Sequence, residues 1–160
     1  MYEVIDNVLN KEHLNEIQKV MMSREFPWFV NNEVTQTGIK RGNDFYMTHL
    51  FFFDHMRNSP YYYLIEPIIQ FLNPNALARV KGNFYPNQNN FFEHEMHIDD
   101  EVSKGALFYV NSNNGYTKLK DGTKIGSVEN RLLLFDSFMP HCSTNCTDTY
   151  GRYNINFNYF

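Results

Sequence analysis

The residues most able to do chemistry are His97, Asp99, His141 and Arg152, in that order along the chain. Two histidines and one carboxylate can cap one face of an Fe(II) ion and leave the remaining positions open to reactants. His97-Ile98-Asp99 has the spacing for this in extended backbone, where alternate side chains share a face and Ile98 points the other way. His141 then has to come from a second strand. Arg152 follows eleven positions after His141, far enough for the chain to turn and return beside the metal. A guanidinium there grips a carboxylate through two parallel hydrogen bonds. Iron ligands with a carboxylate clamp point to an iron enzyme using a dicarboxylic co-substrate.

Other residues compete for these roles. His94 sits at odd spacing from Asp99 and points to the opposite face of a regular strand. His94-Glu95-Met96-His97 is not an HExxH motif, because the second histidine comes one position early. His13, His49 and His55 read as surface or core-edge histidines. Arg152 has an alternative partner in Asp148, as a structural ion pair. Cys142 and Cys146 have a CxxxC spacing that could hold zinc, but with one histidine close by they read as free thiols.

These side chains need strands to hold them. Asn10 can cap a helix through about Met22, with Leu14, Ile17 and Met21 on one face. Ser59-Pro60 has the chemistry of a second helix start, with Leu64, Ile65, Ile68, Ile69 and Leu72 as its stripe and Pro67 as an internal irritant. Met47–Phe53, Arg79–Tyr85, Phe92–Asp99, Ala106–Asn111, Arg131–Phe135 and Arg152–Tyr159 read as strands, and Asn114-Gly115 and Asp121-Gly122 as turns. Helices first and strands later predict an α+β chain, mainly β. Its body is a double-sheet jelly roll with the N-terminal helices packed on one sheet and the other sheet left to form the pocket. On the last strand, alternation puts Arg152, Asn154, Asn156 and Asn158 on one face, which suits a polar pocket floor better than an apolar core.

Composition narrows the class. The 160 residues, 42% hydrophobic and 20% charged, describe one folded domain over residues 1–160 and not a disordered chain. A net charge of −4 and the lack of a basic stripe argue against a nucleic-acid partner. Phe51-Phe52-Phe53 stops at Asp54, so no membrane span is expected. Met1-Tyr2-Glu3 lacks the start of a signal peptide, and a cytoplasmic protein is the expectation. Oligomeric state leaves no trace in the sequence.

With these residues in view, the chain resembles the 2-oxoglutarate- and Fe(II)-dependent dioxygenases, and within them the prolyl 4-hydroxylases. The likeness rests on His97-x-Asp99, the distal His141 and the basic Arg152, and it covers residues 79–160. Leu107-Phe108-Tyr109-Val110-Asn111 resembles the strand after the first ligands, and Phe84-Tyr85-Pro86 the family's Tyr-Pro before them. The likeness implies a double-stranded β-helix of the cupin type. It implies His97, Asp99 and His141 as ligands to Fe(II), with O2 and 2-oxoglutarate as co-substrates. Arg152 and Tyr109 would hold the distal carboxylate of 2-oxoglutarate. Tyr85, Asn156 and Thr117 are further candidates for contact with it. Tyr109 also has the plain reading of a buried aromatic.

The likeness implies decarboxylation of 2-oxoglutarate to succinate and CO2, coupled to hydroxylation of a C–H bond. A carboxylate at Asp99 favours hydroxylation over halogenation. A prolyl residue in a peptide or protein is the first expected substrate, and a free amino acid or other small molecule the second. A non-catalytic jelly-roll binding module is a third reading, disfavoured by the complete ligand set. Asn32 to Asn43, with Gly38 and Gly42, reads as a flexible flap for peptide contacts. The acidic stretch Glu93, Glu95, Asp100 and Glu101 reads as a solvated rim, unfavourable to anionic substrates if it lines the entrance.

Overall fold

The computed structural model describes residues 1–32, 45–99 and 103–160. The flap expected beyond Asn32 lies outside the described residues. The chain opens with β1 (Tyr2–Asp6), a strand that its weak pattern did not announce. The Asn10 side chain then accepts a 2.9 Å hydrogen bond from the His13 amide and starts α1 (Lys11–Met21). Leu14, Ile17 and Met21 are its buried stripe. β2 (Phe29–Asn31), β3 (Tyr46–Phe53) and β4 (Met56–Arg57) follow.

The second helix is split. Ser59 caps a 3-10 segment, Pro60–Ile65, which runs into α2 (Glu66–Leu72). Pro67 falls in the first turn of α2, where its missing N–H has no intrahelical partner to lose. Asn73 closes α2 in the left-handed region at φ 45°. The rest of the chain is β5 (Leu77–Pro86), β6 (Lys104–Tyr109), β7 (Tyr116–Leu119), β8 (Lys124–Gly126), β9 (Arg131–Asp136), β10 (His141–Ser143) and β11 (Gly151–Tyr159). The Asp121-Gly122 turn joins β7 to β8, with Gly122 at φ 89°, a conformation open to glycine at no steric cost.

Among the described residues, eight strands form a major sheet in the order β1-β9-β6-β11-β5-β3-β2, with β4 alongside β3. The minor sheet is β10-β7-β8. All strand pairs in both sheets are antiparallel. This is the double-stranded β-helix. One face of the major sheet carries Phe51, Val80, Phe108, Ile155 and Phe157, which pack against Ile17 and Met21 of α1 and Ile65 and Ile68 at the second helix. A smaller cluster around Leu107, Tyr109, Leu133, Phe135 and Ile125 fills part of the space between the sheets.

Two expectations change here. Phe92–Asp99 forms no continuous strand; its backbone touches the fold through isolated bridges, Glu93 to Thr144 and His97 to His141. The pocket is not made by one sheet. It opens between the two, with the inner face of the major sheet as its floor.

Candidate metal and carboxylate site

The inner floor is built by register. β11 and β5 pair so that Arg152 faces Tyr85, Asn154 faces Asn83, Asn156 faces Lys81 and Asn158 faces Arg79. Residues directly opposite each other project on the same side of a sheet. Four polar pairs therefore stand in a row on the inner face, the first three of them lining the cavity, while Tyr153, Ile155 and Phe157 go to the helical core. All nine residues of β11 are buried.

Across the cavity, His97 and His141 form a bridge in which each amide donates to the other's carbonyl at 2.9 Å. That pairing aims both imidazoles the same way, with ring centroids 4.7 Å apart. Asp99, two residues on, is tied down by its amide donating to the Ser137 carbonyl at 3.0 Å. His97, Asp99 and His141 offer ligand atoms that all lie within 4.8 Å of one another, and among the described residues no other group of three does so. The Nδ1 atom of His97 faces the Glu95 carbonyl at 3.2 Å and that of His141 faces the Met139 carbonyl at 2.9 Å. A carbonyl at each Nδ1 calls for an N–H there, which leaves Nε2 of each ring as the nitrogen on the side of the ligand group.

Burial, and then the neighbouring His141, hold His97 below the ordinary histidine range, in its neutral ligating form. Burial pushes Asp99 upward, but His141, the Asn156 amide and Arg79 outweigh it, so the carboxyl stays below its usual range and ionised. Asp99 Oδ2 accepts from Asn156 at 2.8 Å and from Asn158 at 3.3 Å. Oδ1 lies 4.0 Å from His97 Nε2 and 3.6 Å from Arg79. Oδ2 takes both amide hydrogen bonds, while Oδ1, in a looser ion pair with Arg79, is the oxygen nearer His97 Nε2. Two imidazoles and one carboxylate on one side are a donor set that fits Fe(II).

Arg152 is fully buried and central. Its Nε donates to Ser127 Oγ at 2.7 Å, one terminal nitrogen to the Thr144 carbonyl at 3.1 Å and the other to Thr117 Oγ1 at 2.9 Å. A guanidinium has five N–H donors, so two remain. No carboxylate among the described residues pairs with it; Asp148 instead accepts from the Asn114 amide. Tyr109, also fully buried, donates from its hydroxyl to Thr117 Oγ1 at 2.9 Å. Burial pushes that hydroxyl up, so it stays protonated. With both lone pairs of Thr117 engaged, its own O–H is left as a donor. A Cβ on Gly115 would come within 2.8 Å of Arg152 Cδ, so the Asn114-Gly115 turn makes room for the arginine.

The remaining expected residues fall as follows. Tyr85 lines the cavity, stacked on Tyr46 at 5.4 Å and on His94 at 5.3 Å. His94 is not part of the three-residue ligand group, and its Nδ1 lies on Ser143 Oγ at 2.8 Å. Asn156, expected against the co-substrate, spends its amide N–H on Asp99; its Oδ1 has no partner among the described residues. Cys142 and Cys146 are buried free thiols. Sequence reading missed Lys81, Asn83, Tyr46 and Ser127. Alternation backwards from Tyr85 through Asn83 to Lys81 was the signal that could have found two of them.

No family model matches the chain, and none of the curated proteins matches it. Among solved structures, the chain is similar to a prolyl hydroxylase from Trichoplax adhaerens in complex with a hypoxia inducible factor oxygen degradation domain peptide fragment. Identity there is 20%, over 99% of this chain and 83% of that one, with a TM-score of 0.70. It is also similar to an oxidoreductase of the 2OG-Fe(II) oxygenase family from Burkholderia pseudomallei, at 10% identity, 99% and 84% coverage and a TM-score of 0.72. A Pseudomonas putida prolyl-4-hydroxylase matches at 16% identity, 99% and 91% coverage and a TM-score of 0.60. These likenesses carry the fold, the double-stranded β-helix. No described helix is long and apolar enough to cross a membrane.

Proposed function

We propose that this protein is a 2-oxoglutarate- and Fe(II)-dependent dioxygenase that hydroxylates a prolyl residue in a peptide or protein. One observation carries the oxygenase reading. A buried guanidinium with no acid partner among the described residues shares a cavity with a His-Asp-His group of compatible spacing. A lone charge so placed is costly unless an anion joins it. A dicarboxylate bound at Arg152 and at the metal face answers both features.

His97, Asp99 and His141 would hold Fe(II), which supplies the O2 chemistry: a C–H bond becomes C–OH while 2-oxoglutarate and O2 yield succinate and CO2. The chain's own residues do the positioning. Arg152 and the Thr117 hydroxyl receive the distal carboxylate, the guanidinium with charge-assisted bonds, while Tyr109, whose one O–H is spent on Thr117 Oγ1, orients that threonine instead of meeting the carboxylate itself. Asn156 and Asn158 fix the Asp99 carboxylate. Leu107 and the aromatic walls Tyr46 and Tyr85 limit water around the reacting atoms. The prolyl substrate is supported by the likeness to prolyl hydroxylases, one of them holding a peptide. A second reading, hydroxylation of a free amino acid or other small molecule, is favoured by the cation Lys81 in the cavity.

The test is succinate release from 2-oxoglutarate with Fe(II) and O2, run beside mass spectrometry of proline-containing peptides. The expected outcome is Fe(II)-dependent succinate and a gain of one oxygen atom on a peptide, both lost in His97→Ala. If free proline or another metabolite is turned over faster than every such peptide, the second reading replaces the first. Absence of succinate under all conditions rejects the oxygenase reading.

A further inference from the structure

Lys81 stands in the middle of β5 with Asn156 on one side and Leu50 on the other. It lines the cavity that also holds His97, Asp99 and His141. Among the described residues no carboxylate pairs with it: Asp99 is taken by Arg79, Asn156 and Asn158. Its ammonium lies 5.6 Å over the ring of Tyr46. Burial, then Arg79, lower its pKa to about 8, which leaves it mostly cationic at neutral pH. An enclosed floor position of this kind gains nothing for the fold from a charge; a methionine would fill the same space without the desolvation cost.

The charges of the loaded site do not account for it. A divalent ion is balanced by Asp99 and one carboxylate of a diacid, and Arg152 by the other. Among the described residues, Arg79 and Lys81 then remain in excess over the negative groups that line the cavity. Lys81 also stands apart from Arg152. Its row is two rows away from Arg152, about 13 Å along the strands at roughly 3.3 Å per residue.

Resting on the oxygenase reading, we infer that Lys81 binds a carboxylate of the primary substrate and thereby selects acidic substrates. The group is either the α-carboxylate of a free amino acid or an acidic side chain beside the reacting residue of a peptide. Glu93 of the expected acidic rim does not oppose this. Glu93 is occupied outside the cavity by Lys118 at 2.7 Å and Tyr116 at 2.8 Å, and Asp100 and Glu101 lie outside the described residues.

The test compares carboxylate probes with neutral twins: L-proline against L-prolinamide, and a blocked proline peptide carrying Asp against the same peptide carrying Asn. Binding is read by calorimetry without O2, on protein loaded with metal and 2-oxoglutarate, so that the result does not depend on turnover. Wild type is expected to prefer the acid of at least one pair by roughly tenfold or more. The pair that shows it identifies the source of the carboxylate. Lys81→Met abolishes the preference, Lys81→Arg retains most of it, and the 2-oxoglutarate constant stays within about twofold in both. No preference in either pair, or a preference that survives Lys81→Met, overturns the inference. A rise in the 2-oxoglutarate constant alone makes Lys81 part of the co-substrate clamp and overturns it too. Fe(II)-dependent succinate release, measured separately, decides the oxygenase reading.

Discussion

The two faces of β11 are equally buried and opposite in chemistry. Tyr153, Ile155 and Phe157 enter the core beneath the helices; Arg152, Asn154 and Asn156 line the cavity, and Asn158 on the same face bonds Asp99. The first face is stabilised by removing apolar surface from water, a non-directional gain in proportion to area. The second face gains little from burial. Its polar atoms must all be satisfied, and one is not: Asn156 Oδ1 has no partner among the described residues, nor has Asn83 Oδ1 on the paired strand β5. With the fully buried Arg152, they mark where stability has been given up for binding. Damage on one face should therefore appear as lost stability, and on the other as lost affinity.

The largest effect is expected at Arg152. Arg152→Met removes two charge-assisted bonds to the distal carboxylate, each worth about 1.5–3 kcal/mol, so the apparent 2-oxoglutarate constant should rise by roughly 100-fold or more. Metal affinity should stay nearly constant. Thermal stability without ligand should be unchanged or higher, because an uncompensated buried charge is gone. A large fall in melting temperature with an unaltered 2-oxoglutarate constant would mean that the two faces do the same job.

The reciprocal change is Phe157→Ala. A cavity under the helices should cost about 3–5 kcal/mol, or a drop in Tm of roughly 10 °C for a chain of this size. The 2-oxoglutarate constant, measured well below the transition, should stay within about twofold. A smaller effect is expected for Asn156→Ala, which removes the 2.8 Å bond to Asp99. Fe(II) affinity in an anaerobic titration should weaken by about 10–100-fold, with a smaller Tm change than in Phe157→Ala.

The smallest effect tests a charged pair at the solvent edge. Asp6 of β1 meets Arg131 of β9 through bonds of 2.6 and 2.9 Å, with the Asp6 side chain 48% exposed. The hydrogen bond from Arg131 lowers the Asp6 pKa below 3.8. Its contribution is therefore full above about pH 4 and is lost as pH falls through the folded-state value. Screening keeps it under about 1 kcal/mol. The Tm difference between wild type and Asp6→Asn should be small at pH 7 and should vanish near pH 2. A difference that grows on acidification would contradict the assignment.

Much of the site was legible before folding because its information is local. Alternation along Arg152–Tyr159 separates the amides from the aromatics at sight. His97-x-Asp99 defines its own geometry in any extended segment. Asn10 announces α1 because a capping bond reaches only to His13. Short strands hid for the opposite reason. β1, β7, β8 and β10 have five residues or fewer, and their hydrogen bonds come from partners far away in the chain. Phe92–Asp99 looked like a strand and is not one, since its neighbours offer it isolated bridges only.

The sequence by itself determined the residue types that meet in the cavity and the strands that present them, because side-chain period and metal-ligand chemistry are properties of short segments. Tertiary structure alone decided which atoms face which. Register between β5 and β11 set Lys81 beside Asn156 and turned the Asn156 amide toward Asp99. The His97–His141 bridge aligned two rings forty-four positions apart. Packing of Ser127, Thr144 and Thr117 around Arg152 left two of its N–H donors for a carboxylate. These are pairings between distant segments, set by loop closure and sheet order, and no local pattern encodes them.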